Sequence, residues 1–524
     1  MKKRRFAAVI LAVMFLALNC GCKNKNKSGP SASSSKKSEE TSVTAELLCN
    51  FSDSFDPFTA ATELNRRLSK LLYDSLIKVD ENFEPYYCLA LSAEVKDKEC
   101  TVKIKSAAFT DGSNVTAEDI IYSYEAAKNS AAYGLQLYEV TGAKAASSDT
   151  VVFSLSRYDR YFVNLLDFPI IKKNSDKSAD SDGVIIPPVG SGRYKADTEN
   201  MCFIQNEAYF GEKGEIKKIK LINTPDFESE SHYVEIGACD IYYADLSDGN
   251  IVRMSGKRCD LNLNNLVYIG INGNNEALKN SYLRYAISSA IDRKAVCSQS
   301  YYTNALPAKG FFHPDFEPTK ALQTINFSSD LEITVENLAK IGYNSLDESG
   351  YRVNSDGRHI TLSLLVNSEN ASRKAAASQI ADQLKEAGIE IKVIEKSYAE
   401  YTADLAAGSF DLYLGEIKIL KNMDLSPLVI SGGSAAFGVV NPEKPKEGGE
   451  DTDKPAVSIE DAYNGYFAGT YSAADLESIL LTQMPQIPIC YRNGILFFDS
   501  DIKSGVRATE SDIYFSIEKY KYKK

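Results

Sequence analysis

The chain has 524 residues, enough for about three or four domains of ordinary size. With 44% apolar and 25% charged residues, its composition is that of a globular protein and excludes a disordered one. A net charge of −12 leaves no basic surface for phosphates and argues against nucleic-acid binding. The three histidines (His232, His313 and His359) are not spaced as metal ligands, so we expect no metal site and no cofactor.

The N-terminus predicts export and a lipid anchor. A basic stretch at 2–5 precedes an apolar run at 6–18, which is too short to span a bilayer but suits a signal-peptide core. The run ends in Asn-Cys-Gly-Cys, which resembles the lipobox of bacterial lipoproteins. Gly21 suits the small pocket before the cut, so Cys22 is the expected lipid-attachment residue and Cys20 is the alternative. A plain secretory signal is the competing interpretation.

The expected leader therefore covers 1–21, and the acylated cysteine with a flexible Ser/Lys-rich tether covers 22–43. Two acyl chains anchor a protein firmly where one chain is marginal. Eight further cysteines show no CxxC motif and no neighbouring histidines. Buried free thiols are favoured over disulfides for these residues, because several of them lie inside apolar runs.

Strand and helix patterns follow in chain order. Strands are predicted at 44–51, 101–109 and 149–156, and Thr116 with an acid three residues later predicts a helix N-terminus. Val189-Gly-Ser-Gly-Arg-Tyr194 predicts a bend that leads into a strand.

The second half of the chain has an α/β pattern. A strand is predicted at 266–272. From His359 onward the order is strand (359–366), helix (372–387), strand (389–395), helix (397–407) and strand (410–419). Such a unit is expected to form parallel strands with right-handed crossovers. The Pro/Gly/charge-rich stretch 441–457 is expected to be a surface loop.

No catalytic motif stands out. The chain lacks the G-x-x-x-x-G-K-[ST] phosphate loop, and the nearest match to G-x-S-x-G, at Gly432, lacks the last glycine. Dispersed carboxylates give no reason to select a catalytic pair. We therefore expect that the protein is not an enzyme.

Several blocks resemble the extracellular solute-binding proteins of peptide-type ABC importers, the family of oligopeptide- and dipeptide-binding proteins (family 5). The most specific block is AFTDGSNVTAEDIIYSY at 108–124. Other blocks are LYDSL at 72–76, VGSGRY at 189–194, NEAYF at 206–210, GACDI at 237–241, LRYAISSAIDR at 283–293, GSFDL at 408–412 and PQIP at 485–488. The resemblance covers about residues 45–500.

The resemblance implies an α/β fold of the two-lobed periplasmic-binding-protein type II-like class with an extra inserted domain. Lobe I is expected at 44–72, 187–265 and 488–524, the inserted domain at 73–186, and lobe II at 266–487. The chain would cross between the lobes near Ile271 and near 489–491. Such crossings act as a hinge that lets the lobes close over a ligand.

The resemblance also implies the cleft positions Thr62, Glu63, Tyr243 and Tyr268, and the segment after Gly415. For each tyrosine, packing in the core is the competing interpretation. Where peptide binders of the family carry Gly-Trp and a nearby aspartate that pairs with the peptide ammonium, this chain has no tryptophan, and Leu420 lies near the place of the acid.

If the ligand is a peptide, another carboxylate must pair with its ammonium, because burying an unpaired charge costs several kcal/mol. The candidates are Glu416, Asp424 and Glu63. An ion pair with Lys418 is the structural alternative for Glu416, and capping of a helix after Asp424 is the alternative for that residue.

The expected protein is thus a lipid-anchored, extracellular bacterial solute-binding lipoprotein. It would work as a monomer, capture a small molecule, most simply a peptide, and deliver it to the permease subunits of an ABC transporter. The alternatives are a surface sensor or signalling lipoprotein that keeps the fold without import, and a binder of a non-peptide solute.

Overall fold

The computed structural model describes residues 43–177, 186–246, 254–322, 328–440 and 457–523, all within one unit that spans 42–524. The expected lipid-attachment residue Cys22, its alternative Cys20, and residues 441–456 of the expected loop lie outside the described residues. In the described ranges, no helix has both the length and the apolar character that a membrane span requires.

The secondary structure of the described residues alternates between strands and helices. The strands are β1 Val43–Cys49, β2 Ile77–Val79, β3 Pro85–Tyr87, β4 Ala90–Lys96, β5 Glu99–Ile104, β6 Val140–Ser147, β7 Thr150–Leu155, β8 Tyr194–Asp197, β9 Cys202–Gln205, β10 Ile216–Asn223, β11 Ile241–Ala244, β12 Lys257–Ile271, β13 Ala305–Pro307, β14 Ser345–Leu346, β15 Arg352–Val353, β16 Thr361–Asn367, β17 Glu390–Lys396, β18 Leu412–Lys418, β19 Gln486–Phe498, β20 Ile502–Ser504 and β21 Lys521–Tyr522. The α-helices are α1 Glu63–Leu72, α2 Ala117–Lys128, α3 Phe227–Glu235, α4 Ser281–Ala290, α5 Arg293–Gln299, α6 Glu317–Lys320, α7 Leu331–Lys340, α8 Ala371–Glu386, α9 Tyr398–Ala407, α10 Ser426–Val429, α11 Ile459–Phe467 and α12 Ala473–Gln483. Short 3₁₀ helices lie at Leu135–Leu137, Phe162–Leu165, Ser175–Lys177 and Ile517–Lys519.

A four-stranded sheet in the order β1-β10-β9-β8 carries α1 against one face. The bend before β8 passes directly over the C-terminal end of α1. A Cβ atom on Gly190 would lie 2.2 Å from the Leu72 carbonyl oxygen, and one on Gly192 would lie 2.4 Å from the Leu72 carbonyl carbon. Only glycine permits this approach, so the VGSGRY block has a packing role.

The segment expected to be inserted contains its own antiparallel sheet, in the order β4-β5-β7-β6, with α2 packed on it. The predicted N-terminus of α2 is confirmed. Thr116 and Asp119 form a capping box, in which the Asp119 carboxylate accepts from the Thr116 backbone N–H at 2.9 Å.

A seven-stranded sheet contains the two longest strands, β12 and β19, which pair with each other in antiparallel fashion. Their register shifts between Asn262, which faces Asn493, and Leu266, which faces Tyr491. On one side of this shift β19 pairs with β11, which lies in the lobe I segment. On the other side β12 pairs with β18, which lies in the lobe II segment. The exact lobe boundaries stay predictions.

The predicted α/β unit of the second half is confirmed. β16 pairs in parallel with both β17 and β18, and α8 and α9 make the connections. The alternation of apolar runs with capped helices was sufficient to predict this unit. The strand predicted at 266–272 is the end of a longer one, because β12 begins at Lys257.

The β4-β5-β7-β6 sheet of the segment expected to be inserted shares an apolar core cluster with part of the expected lobe II. Tyr161 packs edge-on against Phe316 with ring centroids 5.3 Å apart. The Asn422 amide donates to the Asp159 carboxylate at 2.7 Å, and Lys421 forms an ion pair with the fully buried Asp167. The segment expected to be inserted therefore fixes the stretch of chain that follows β18.

All eight described cysteines are free thiols, and every one except the half-buried Cys259 is buried. The expectation of buried free thiols is confirmed for these residues. Desolvation raises the pKa of Cys100 to about 12 and that of Cys239 to about 12. The thiolate is the reactive form, so burial makes these thiols chemically inert.

Glu477, on α12, is a buried carboxyl group that has no cation within ion-pair distance among the described residues. It accepts hydrogen bonds from the backbone N–H groups of Phe311 (2.6 Å) and Phe312 (3.3 Å). Desolvation outweighs these two bonds and raises the pKa of Glu477 to about 8. The group is therefore largely protonated in the folded protein at neutral pH, although it would be ionised in the unfolded chain.

This raised pKa predicts a pH dependence of stability. The contribution of Glu477 is fully present below its unfolded pKa and is lost as the pH rises toward the folded pKa of about 8. A Glu477→Gln variant lacks this titration. The melting temperature of the variant minus that of the wild type should therefore increase by about 2–4 °C or more between about pH 5 and pH 8. Thermal unfolding followed by circular dichroism measures the gap, and a gap that stays constant over this range contradicts the prediction.

Candidate functional site

A cleft of 730 Å³ opens where the expected lobes and the inserted domain meet. Its walls come from α1, from the end of β11, from the loop after α2, from the segment after β18 and from the stretch 510–513 near the C-terminus. The charged residues that line it are five cations and five carboxylates: Arg66, Arg67, Lys70, Lys418, Lys421, Glu63, Glu230, Asp245, Glu510 and Asp512. The aromatic residues that line it are Tyr133, Tyr242 and Tyr243.

Thr62 positions the first wall of the cleft without lining it. Its side chain caps α1 by accepting from the Asn65 N–H, and its hydroxyl donates to the Asp53 carboxylate at 2.5 Å. The Asp53 carboxylate also accepts from the Thr62 N–H at 2.7 Å. These bonds determine where α1 begins, so the expected cleft residue Thr62 has a structural role.

Glu63 lies on the cleft wall, as expected from the sequence, and its side chain is 55% exposed. Its carboxylate forms ion pairs with Arg66 at 2.6 Å and with Arg67 at 3.2 Å. Desolvation by the walls opposes ionisation of Glu63. The charges of Arg67 and Arg66 outweigh it, so the pKa of Glu63 lies below its ordinary value. One negative charge is thus shared between two arginines.

Tyr243, at the end of β11, also lies on the cleft wall, as expected. Most of its ring is buried, and the Arg67 guanidinium lies 3.8 Å from the ring centroid. This cation–π contact joins α1 to the strand and holds the guanidinium in a fixed plane.

A further wall is formed by the segment after Gly415 that the sequence indicated, and it begins at Lys418. Lys418 forms an ion pair with Glu510 at 2.5 Å. The charge of Glu510 raises the pKa of Lys418 above its ordinary value. An ion pair with Lys418, the structural alternative for Glu416, is therefore not the arrangement observed, because Glu416 pairs with two arginines instead. Leu420 lines the cleft beside this pair.

Tyr268 does not line the cleft, contrary to the expectation. Its side chain is 2% exposed and belongs to the main apolar core cluster. Its hydroxyl donates to the Ala435 carbonyl oxygen at 3.1 Å, and its ring packs edge-on against Tyr413. Core packing, the competing interpretation, describes this residue.

Glu416 is likewise not presented to the cleft. Its side chain is 7% exposed, and its two oxygens form ion pairs with Arg492 at 2.6 Å and Arg373 at 3.0 Å. Asn265 donates a further hydrogen bond at 2.9 Å. Desolvation opposes ionisation of the Glu416 carboxyl group. The charges of Arg492 and Arg373 outweigh desolvation and hold the pKa of Glu416 below its ordinary value. The protein itself already neutralises this carboxylate.

Asp424 joins Arg157, in the segment expected to be inserted, to Tyr463, in the expected lobe II, and does not line the cleft. Its carboxylate forms an ion pair with Arg157 at 2.5 Å, and it accepts from the Tyr463 hydroxyl at 2.7 Å. It also accepts from the N–H of Ser426, the first residue of α10, at 2.8 Å, although the N-cap residue of this helix is Leu425. The residue holds an interface together.

Four charged residues line the cleft although they were not predicted from the sequence: Arg67, Lys70, Glu230 and Glu510. A signal was available for the first two, since both lie on α1 away from the apolar stripe formed by leucines of this helix. Glu510 gave no local signal, because its partner Lys418 is far away in the sequence. In the described ranges, no group of three or more histidine, cysteine, aspartate or glutamate side chains forms a potential metal site.

Comparisons with known proteins agree with this architecture. Residues 84–427 match the family model of bacterial extracellular solute-binding proteins, family 5 (middle region). The oligopeptide-binding protein AppA of Bacillus subtilis is 25% identical over 425 residues, which are 75% of this chain and 76% of that protein. The resemblance inferred from the sequence blocks is confirmed.

Solved structures show the same fold. An ABC transporter substrate-binding protein from Sinorhizobium meliloti superposes with a TM-score of 0.71 at 18% identity, over 92% of this chain and 100% of that one. The Bacillus subtilis AppA structure in complex with a nonapeptide superposes with a TM-score of 0.55 at 20% identity, over 92% and 99%. The expected two-lobed α/β class is confirmed.

The enclosed position of Glu416 predicts a loss of stability on substitution. Glu416→Gln leaves Arg373 and Arg492 without their carboxylate and should lower the free energy of unfolding by about 3–5 kcal/mol. Glu395→Gln is the matched control. It removes an exposed partner of Lys374 in the same lobe and should cost at most about 1 kcal/mol.

The pH dependence of this loss has a definite sign. Because the folded pKa of Glu416 is depressed, its contribution is present above the unfolded pKa and disappears as the pH falls through the folded one. The difference between wild type and Glu416→Gln in denaturant unfolding should therefore shrink below about pH 4. Equal, small losses for both variants at neutral pH would contradict the assignment.

Proposed function

We propose that this chain, which belongs to the bacterial extracellular solute-binding proteins of family 5, captures a short peptide in its cleft. The protein then delivers the peptide to the permease subunits of an ABC transporter. The observation that carries the proposal is the 730 Å³ cleft, lined by charges of both signs, next to the two strands that cross between the expected lobes. No catalytic role is needed for this function.

Closure is supported by the pairing of β12 with β19. The ladder has two register shifts, one between Asn262 and Leu266 and one between Val267 and Tyr268, and the first lies beside the cleft residues Leu263 and Asn265. Such an interruption is a natural point for bending. We infer that the lobes rotate about this point, so the hinge lies a few residues before the crossing expected near Ile271.

The charges on the walls support a zwitterionic ligand. Side chains of both charge signs line the cleft, and a peptide in solution carries an ammonium and a carboxylate group. The related Bacillus subtilis protein is named as an oligopeptide-binding protein. Of the candidate partners for a peptide ammonium, Glu63 lines the cleft, whereas Glu416 and Asp424 do not.

Peptide binding is tested by capture. The protein without its leader is unfolded, washed free of ligand, refolded and incubated with a randomised pool of short peptides. We expect mass spectrometry to find a retained subset, and calorimetry to measure a saturable affinity for its members. Small-angle scattering should then show a smaller radius of gyration with a retained peptide than without it, because the lobes close.

A folded protein that retains no peptide contradicts the peptide ligand and favours a non-peptide solute. Retention with an unchanged radius of gyration at saturation contradicts only the closure. The chain has no tryptophan, so calorimetry is a better readout than intrinsic fluorescence.

Anchoring is part of the proposal, and we assign it to Cys22. Cys22→Ser should release the protein into the medium, because the residue that carries the acyl chains is gone. Cys20→Ser is the matched control and should leave the protein in the membrane fraction. Fractionation with immunodetection measures both, and the reverse result would place the lipid on Cys20.

A further inference from the structure

The cations of the cleft are not evenly compensated. On the α1 wall, Arg66, Arg67 and Lys70 face the cleft together with the single carboxylate Glu63. Across the cleft, Lys418 is paired with Glu510 and Lys421 with Asp167. Positive charge without a matching carboxylate is therefore concentrated on α1.

Arg66 is occupied by its own surroundings. Its Nε and one terminal nitrogen donate to Glu63, and the other terminal nitrogen donates to the carbonyl oxygens of Ala60 and Ala61. All three nitrogens of its guanidinium thus have partners within the protein, so its role is to hold the start of α1.

The guanidinium of Arg67 is oriented by its neighbours but still has hydrogen-bond donors available. Its Nε pairs with Glu63 at 3.2 Å, and its guanidinium plane rests on the Tyr243 ring at 3.8 Å. The ring cannot move away easily, because it packs against Gly494 on the neighbouring strand, where a Cβ atom would lie 2.5 Å from the Tyr243 hydroxyl. Among the described residues no acceptor other than Glu63 bonds to Arg67, so its terminal nitrogens are oriented and remain available.

Lys70 lies one turn further along the same helix face. Its Nζ donates to the Asp167 backbone carbonyl oxygen at 3.0 Å and lies 5.4 Å from the centroid of the Tyr133 ring. In the parts of the chain that the structure describes, no carboxylate is within ion-pair distance of this ammonium. Residues at i and i+3 of a helix have neighbouring side chains, so Arg67 and Lys70 can reach one ligand group together.

We propose that Arg67 and Lys70 form a carboxylate-binding subsite that fixes one end of the ligand on the α1 wall. This inference rests on the proposed peptide function and specifies how the peptide lies in the cleft. A planar guanidinium offers two parallel N–H donors to a carboxylate, and an ammonium adds a point charge. The carboxylate is either the C-terminus of the peptide or the side chain of an aspartate or glutamate.

The test compares peptides that differ only in this group. Peptides retained by the wild type are resynthesised with a free C-terminus, with a C-terminal amide, and with each aspartate or glutamate replaced by asparagine or glutamine. Calorimetry should show that one carboxylate-to-carboxamide change weakens binding to the wild type by about ten- to a hundredfold. Which change does so identifies the C-terminus or a side chain as the source.

The same change should hardly alter the affinity of the double variant, Arg67→Gln combined with Lys70→Gln. This variant has lost the two positive charges that bind the carboxylate. Arg67→Lys keeps a charge without the fork and should fall between the two. Arg258→Gln is the matched control, since Arg258 is an exposed arginine of β12 that does not line the cleft. It should bind like the wild type, and melting temperatures verify that every variant is folded.

The outcomes separate the two proposals. If the free and amidated peptides and their side-chain analogues all bind the wild type equally, the carboxylate subsite is wrong and peptide binding stands. If the difference between carboxylate and carboxamide persists in the double variant, another part of the cleft reads the group and the assignment to Arg67 and Lys70 is wrong. If the folded wild type retains no peptide at all, the proposed function fails, and the subsite fails with it.

Discussion

The cleft depends on one fully buried carboxylate, that of Asp512. It forms ion pairs with Arg193, from the glycine-rich bend before β8, at 2.8 Å and with Lys78, from β2, at 2.9 Å. Arg193 also donates to the carbonyl oxygens of Tyr514 and Lys70, so the same cluster ties the end of α1 to the C-terminal segment. Desolvation opposes ionisation, but the charges of Lys78 and Arg193 hold the pKa of Asp512 far below its ordinary range. Without this carboxylate, two cations would remain buried and unpaired, which would lower the free energy of unfolding by about 3–5 kcal/mol.

The charges around the cleft are of two kinds. Charges of the first kind are neutralised within the protein, as in the ion pairs of Glu416 with two arginines and of Asp424 with Arg157. The carboxylates of these pairs are buried. The other kind is restrained but still open to a solute, as with Arg67 on its tyrosine. The residue type does not tell whether a carboxylate can bind a ligand or only stabilises the fold. The burial of the carboxylate and its ion-pair partners do.

Local patterns were sufficient for the elements and for the family. The capping box at Thr116 and the parallel unit from β16 to β18 follow from spacing within a few residues, and the fold class follows from sequence blocks. Two of the cleft residues, Glu63 and Tyr243, were also predicted. The errors at Glu416 and Tyr268 have a common cause, because the partners that enclose them come from distant parts of the chain. Arg492 is 76 residues from Glu416, and Tyr413 is 145 residues from Tyr268. Sequence spacing does not encode such pairings.

The buried thiols affect how long such a protein can last in its expected surroundings. An exported chain meets oxidants that a cytoplasmic one does not, and many small exported domains respond by forming disulfides. Here seven of the eight described thiols are instead shielded inside apolar cores, where they neither ionise nor meet an oxidant. Durability outside the cell is therefore a property of the native packing and not of covalent bonds. It ends when the chain unfolds, because all eight sulfurs then become reactive together and mispaired bridges compete with refolding.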